Sequence, residues 1–315
     1  MMRCPITYED LLPGENRYSA AGLKRLSPRL KSLKDFPYTM GEQLKEANRL
    51  ASKLSIQGIQ PKLSVVLDVA QETFEIADKG GTFILKPQNP QWNSLPENED
   101  LTMRLAAAIG IEVPLHGLLY CKDGALSYWI RRFDRPSLRN PTKQKLNVED
   151  FAQLSQEDRL TKYNSSMEKV AKIISQFCSF PLLEQEKLFR LTLFNFIVGN
   201  EDMHLKNFSL ITRDSLISLS PAYDLLNTTL AMGAGTQEEM ALTLNGKKQK
   251  LKADDFIEVY GKGRLGLSSN TINRILQTIQ LIQPEWRQLI DRSFLTQDQK
   301  DGYKAIIKER LARFF

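Results

Sequence analysis

The densest group of residues able to do chemistry is GNEDMHLKNF, residues 199–208. Before it, Glu184 to Val198 is apolar on nearly every face, the pattern of a buried central helix. After it, FSLIT, Arg213-Asp214 and SLISL read as a hairpin with strands at 208–212 and 216–220. Polar side chains at the end of a rigid element are presented rather than packed. Antiparallel strands bring Asn207 and Asp224 back to the same end. An amide carbonyl and a carboxylate there make a hard-oxygen half-shell, which suits Mg²⁺ held also by a nucleotide's phosphates. Asp202 precedes Asn207 at a spacing that lets it accept a proton from an attacking hydroxyl. A D-x-x-x-x-N run followed by a second metal Asp is the spacing of phosphoryl-transfer catalytic loops. The short pattern also arises by chance, since Asp and Asn serve turns and caps. The helix before it, the hairpin after it and Asp224 single this copy out.

Phosphoryl transfer also needs a phosphate cover and a lysine. The run Ser55, Ile56, Gln57, Gly58, Ile59, Gln60, Pro61, Lys62 stands just ahead of a strand. Its backbone N–H groups and hydroxyl suit phosphate oxygens. With a single Gly it is neither a Walker motif nor GxGxxG, and it also reads as a solvated turn. Lys86 closes the strand TFILK ahead of Pro87. It is either a snorkelling edge residue or a phosphate ligand steadied by a carboxylate on the next helix. Glu99 is the best-placed partner and Asp100 the second choice. Such a pair orients the ammonium on the α- and β-phosphates. At Ile130 to Arg135 a strand edge can offer backbone groups to an adenine, or its arginines serve an ion-paired surface.

These groups need elements to hold them. Met40 to Leu54 has Leu44, Ala47 and Ala51 on one helical stripe. Leu63–Leu67, Phe74–Ile76, Thr82–Lys86, Leu115–Cys121 and Ala125–Ile130 read as strands. Between them, Glu97, Glu99 and Asp100 open a helix that Gly110 stops. Residues 135–169 are polar and read as a linker plus a surface helix. Beyond residue 252 the pattern is mostly helical. The layout predicts an α+β fold, β-rich first and helical second.

Composition excludes several classes. The chain has 315 residues, 42% hydrophobic and 25% charged, which suits a globular protein of two domains rather than a disordered chain or a fibre. Three widely spaced cysteines read as free thiols in a reducing compartment. Two histidines exclude a His-rich zinc site. The N-terminus lacks the apolar core of a signal peptide, and no run is long enough for a membrane helix. A cytoplasmic protein is expected. The net charge of +6 does not by itself imply nucleic acid.

In order along the chain, SIQGIQPKL, FILKPQ, PENEDLTMRLAAAIGIEVP, RRFDR, VEDFAQ, GNEDMHLKNFSL and LSPAYDLLNT resemble the HipA-type Ser/Thr kinases, the toxins of bacterial toxin–antitoxin systems. The resemblance runs from about Leu54 to Asn227. It implies a two-lobed protein-kinase-like fold, with an N-lobe at 1–132, a helical C-lobe at 133–315 and a cleft between them. It implies Asp202 as catalytic base, and Asn207 and Asp224 as Mg²⁺ ligands. ATP contacts are implied at Gln57 to Lys62, Lys86, Arg131, Arg132, Phe133, His204, Lys206 and Tyr223. Ser55 matches the loop serine that these kinases autophosphorylate. A phosphate there adds about −1.5 to −2 charge and would expel the loop from the phosphate site. In the shorter, HipT-like members a second serine can follow two positions later, where this chain has Gln57. About fifty residues precede the loop, too few for the extra N-terminal subdomain of full-length HipA. In the short members a small HipS-like protein supplies that subdomain as antitoxin, beside a DNA-binding HipB-like partner. The family's targets are aminoacyl-tRNA synthetases.

Two other readings stay open on sequence. One is a small-molecule phosphotransferase of the aminoglycoside-kinase kind, although those enzymes usually carry a His just before the catalytic Asp. The other is a basic nucleic-acid module built on Lys247, Lys248, Lys250 and Lys252, a group that also fits a solvated face.

Overall fold

The computed structural model describes residues 2–50, 60–135, 145–156, 162–233 and 238–315. The chain divides into two compact units. One comprises Met1–Leu101, Pro114–Lys145 and Asp291–Leu295; the other comprises Thr102–Val113, Leu146–Ile290 and Thr296–Phe315.

The first unit opens with α1 (Ala20–Leu26), whose Ser19 cap accepts from the Gly22 N–H. Next comes α2 (Met40–Leu50), which buries Gln43, Ala47 and Leu50 on one face. Strands β1 (Leu63–Asp68), β2 (Thr73–Ile76) and β3 (Phe83–Lys86) follow, then α3 (Leu95–Ala108), of which the part up to Leu101 belongs to this unit, and β4 (His116–Tyr120) and β5 (Leu126–Arg131). The five strands form one antiparallel sheet in the order β2-β1-β3-β5-β4. Each lies within one or two residues of its sequence expectation. The N-terminal fifty residues, punctuated by Pro and Gly, nevertheless supply much of this unit's core. Cys4, Ile6, Tyr18, Leu23 and Phe36 are buried with Phe74, Phe83 and Trp129. Gly117 faces Trp129 across the β4–β5 pair, and a Cβ there would meet the indole at 2.8 Å. The large ring therefore needs glycine as its neighbour.

The second unit is mostly helical: β6 (Asn147–Asp150), α4 (Phe151–Leu154), α5 (Met167–Phe177), α6 (Pro181–Val198), β7 (Ser209–Arg213), β8 (Leu216–Leu219), α7 (Thr228–Met232), a π-helical turn at Asp255–Arg264, α8 (Ser269–Arg292) and α9 (Gln297–Leu311). Helix α6 is the buried helix expected, with Phe189, Leu193, Phe194, Phe196 and Ile197 at or near zero exposure. Pro181 stands in its first turn, where its missing N–H costs nothing. Residues 147–150 depart from expectation. They are not linker but a third strand, paired to β7 with Val148 opposite Ile211. Only one apolar residue stands in Asn-Val-Glu-Asp, so hydropathy does not mark it; backbone pairing to an edge does. Asp150 then caps α4 by accepting from the Gln153 N–H at 2.9 Å.

The α+β class is the one expected. The three cysteines are buried and unpaired. Among the described residues, no helix is long and apolar enough to cross a membrane.

Candidate active site

Two clusters of functional side chains stand out, one in each unit. In the second unit, α6 stops at Gly199, which takes the left-handed conformation at φ +72°. The chain then turns sharply into the polar loop. Asn200 is locked to the helix end by its side-chain amide, which donates to Asn195 Oδ1 at 2.8 Å. The Asp202 N–H donates to Asn200 Oδ1 at 3.2 Å. The Asn207 amide closes the turn, its Nδ2 donating to the Asp202 carbonyl at 2.9 Å. The D-x-x-x-x-N spacing is thus a physical ring: the two residues hold each other across one 3₁₀ turn at Leu205–Asn207. With its N–H₂ committed, Asn207 keeps its amide oxygen as acceptor.

The return strand ends beside the same loop. The Tyr223 hydroxyl donates to the Lys206 carbonyl at 3.0 Å and lies 2.5 Å from Ser209 Oγ. Asp224 follows in a left-handed backbone at φ +54°, an uncommon conformation for a non-glycine residue. Its negative charge is felt at His204. His204 is buried, with Lys162 Nζ 2.6 Å from its Nε2. Burial first, and the Lys162 charge with it, holds this imidazole below its ordinary pKa, although the Asp202 and Asp224 carboxylates pull the other way. A neutral ring accepting at Nε2 carries its proton on Nδ1. That Nδ1 is buried and has no hydrogen-bond partner among the described residues.

The cluster in the first unit is built on strand β3 and helix α3. Lys86 Nζ lies 2.5 Å from Glu99 Oε1, and both side chains are buried. The ammonium also sits over the Tyr128 ring at 5.6 Å. Asp100, the second choice on sequence, is taken by His116, whose Nδ1 lies 2.8 Å from its Oδ1. Glu97 completes a run of buried acids on α3. Gln88 Nε2 donates to both its oxygens at 2.9 Å. Burial nevertheless outweighs these bonds and raises its pKa to about 7.

The remaining expected positions fall as follows. Ser55, Gln57, Gly58 and Ile59 lie outside the described residues; Gln60, Pro61 and Lys62 lead into β1. Arg131 ends β5 and Arg132 and Phe133 follow it, but two of their backbone donors are spent inside the protein. The Arg131 N–H bonds the Leu115 carbonyl at 2.8 Å and the Arg132 N–H the Thr82 carbonyl at 2.9 Å. Arg132 also forks onto Asp134 at 2.9 and 2.8 Å. Of the surface lysines, Lys247 pairs with Asp255 at 2.9 Å and Lys248 with Glu238 at 3.5 Å. Two of that group of four therefore serve local ion pairs. Two residues of the site escaped the sequence reading. Tyr163 donates to Asp202 Oδ1 at 2.5 Å, and Lys162 holds His204. They sit in the polar stretch read as linker, and a lone Lys-Tyr pair there carries no periodic signal.

Among the described residues, no group of three or more His, Cys, Asp or Glu side chains is arranged to hold a metal. The available donors are hard oxygens, the Asn207 amide and the Asp224 carboxylate. Such a pair fits Mg²⁺ only when phosphates and water complete its shell.

An α+β fold with a helix-capped D-x-x-x-x-N loop and a separate buried Lys–Glu pair has the parts of a protein-kinase-like phosphotransferase. Residues 54–286 match the HipA-like C-terminal domain, and the chain belongs to that family. A Haemophilus influenzae protein named "Putative kinase" is 29% identical over 98% of this chain and 94% of its own length. The Ser/Thr-protein kinase toxin HipA of Shewanella oneidensis is 27% identical over 60% of this chain, a match spanning 47% of that protein. Among solved structures, the Shewanella HipA–HipB–operator DNA complex aligns with TM-score 0.66 at 21% identity, over 90% of this chain and 72% of the other. The Helicobacter pylori kinase CtkA aligns with TM-score 0.51 at 14% identity, over 73% and 84%. Both likenesses show the fold.

Proposed function

We propose that this chain is an ATP- and Mg²⁺-dependent Ser/Thr protein kinase of the HipA toxin type. The observation that carries the reading is the ring between Asp202 and Asn207, where the amide holds the Asp202 backbone at 2.9 Å. The side chains of these two residues then have different tasks. Asp202 accepts the proton of the attacking serine or threonine hydroxyl. Asn207 and Asp224 supply oxygens to Mg²⁺, which when bound neutralises charge on the transferring phosphoryl group. The buried Nδ1–H of His204 is a donor that a nucleotide phosphate oxygen would satisfy. Lys86, held by Glu99, orients the α- and β-phosphates, and Gln57 to Lys62 cover them. Arg131 to Phe133, Lys206 and Tyr223 complete the nucleotide's surroundings.

The finer reading rests on family membership. The loop serine Ser55 is the autophosphorylation site, and the protein substrate is an aminoacyl-tRNA synthetase whose modification stops translation. Small HipS-like and DNA-binding HipB-like antitoxins are the partners, in the cytoplasm; the Shewanella relative is seen with HipB and operator DNA.

The test is incubation of the purified chain with radiolabelled ATP and Mg²⁺, with mass spectrometry of the product. Phosphate on Ser55 in the wild type and none in Asp202→Asn is the expected result. Equal labelling of the two proteins would sink the assignment. Phosphoproteomics after brief induction of each would then name the target.

A further inference from the structure

Resting on the kinase reading, we propose that Lys162-Tyr163 is a positioning element of the catalytic loop, with the Tyr163 hydroxyl orienting the Asp202 carboxylate and Lys162 orienting His204. Four contacts join this dipeptide to the loop. Tyr163 Oη donates to Asp202 Oδ1 at 2.5 Å. Its ring meets His204 edge-on, with centroids 4.9 Å apart. Lys162 Nζ reaches His204 Nε2 at 2.6 Å. The Lys162 carbonyl accepts from the Leu205 N–H at 3.4 Å. The Lys162 ammonium also lies 4.7 Å from the Tyr163 ring centroid, so the two side chains support each other.

The chemistry follows from counting acceptor sites. An ionised carboxylate has two oxygens, and a rotating one presents either to a substrate. Tyr163 occupies Oδ1, which fixes the carboxylate plane and assigns proton acceptance to Oδ2. The tyrosine keeps its own proton: burial, and then the neighbouring Asp202 carboxylate, push its phenol well above the ordinary value. It is therefore a permanent donor and takes no part in the transfer. A base oriented by a third group is the general arrangement of acid–base sites. Lys162 performs the matching task next door. By donating to Nε2 it selects the tautomer in which His204 offers Nδ1–H, the buried donor with no partner among the described residues.

Because Phe keeps the ring against His204, Tyr163→Phe removes the orienting hydroxyl alone. In the full chain it should slow phosphate transfer at saturating ATP by about ten- to a hundred-fold, the cost of a misdirected base. Half-saturating ATP and melting temperature should stay at wild-type values. Lys162→Met should instead raise half-saturating ATP, and Lys162→Arg should restore it. A second arm needs no activity. In protein labelled with ¹³Cζ-tyrosine, the Tyr163 resonance, identified by its loss in Tyr163→Phe, should shift in Asp202→Asn. A Phe variant as fast as or faster than wild type overturns the proposal, as does slowing matched by a lowered melting temperature. An unmoved resonance also overturns it. A wild type that transfers no phosphate condemns the kinase reading instead, and the resonance still decides whether Tyr163 holds Asp202.

Discussion

Lys86 and Glu99 meet at 2.5 Å with each side chain only 3% exposed. A buried pair of this kind offers little net stability over an apolar pair, yet removing one partner strands the other's charge. Its retention makes sense if the ammonium has a second anionic partner to serve.

Stability and function should therefore separate in a double mutant. Lys86→Met should destabilise by about 3–5 kcal/mol because Glu99 loses its lysine. Lys86→Met with Glu99→Leu should recover much of that loss in urea unfolding. Neither protein should transfer phosphate. Recovery of activity in the double variant would show that the pair is structural only.

Gly199 should tolerate no side chain. Its φ of +72° is unfavourable for an L-residue, and a Cβ would meet Thr229 Oγ1 at 2.8 Å, Ile306 Cγ2 at 3.0 Å and Asn227 Oδ1 at 3.1 Å. Gly199→Ala is expected to cost about 1–3 kcal/mol, lowering the melting temperature and slowing phosphate transfer together, since the proposed catalytic loop starts there.

Glu97 should make stability depend on pH. Its folded pKa, about 7, lies above the unfolded value near 4.5. Its contribution is therefore complete below pH 4.5 and is lost as pH rises through 7. A shift of this size corresponds to about 3 kcal/mol at most. Wild-type unfolding free energy should fall between pH 5 and 8 by an amount that Glu97→Gln abolishes, with the two proteins converging at the acidic end. Parallel curves across that range would contradict the raised value.

Metal dependence should track Asn207 and Asp224. Asn207→Ala loses an oxygen donor and also the bond to the Asp202 carbonyl, so it should lower the maximal rate and raise the Mg²⁺ needed for half-maximal labelling. Asp224→Asn should raise the Mg²⁺ requirement more, because it removes a charge. Titration of Mg²⁺ against a fixed ATP concentration measures both. An unchanged requirement in Asp224→Asn would remove it from the proposed metal site.

Much of this could be read from the chain, where local pattern and local structure coincide. The strands at Leu63, Phe83 and Leu126 are marked by short β-rich runs, and the helix at Glu184 to Val198 by a long stretch that is apolar on nearly every face. Asp202 and Asn207 lie on one loop, so spacing alone brought them together. Where pairing is non-local the reading thinned. The strand at 147–150 has almost no apolar signal and exists because β7 offers an edge. The Pro- and Gly-punctuated start carries no clear pattern, yet Cys4, Ile6 and Phe36 are fully buried, since burial depends on what packs above a residue.

Sequence by itself determined the α+β class and the family, because element type and short-range spacing are properties of the local chain. Only the tertiary structure decided the partners. It gave Lys86 to Glu99 and Asp100 to His116, a choice between adjacent carboxylates set by which side of α3 each occupies. It also brought Tyr163 to Asp202 across thirty-nine positions. No periodicity encodes such a contact. It forms because β6 and α4 pack onto the loop, and a hydrogen bond depends on distance in space, not along the chain.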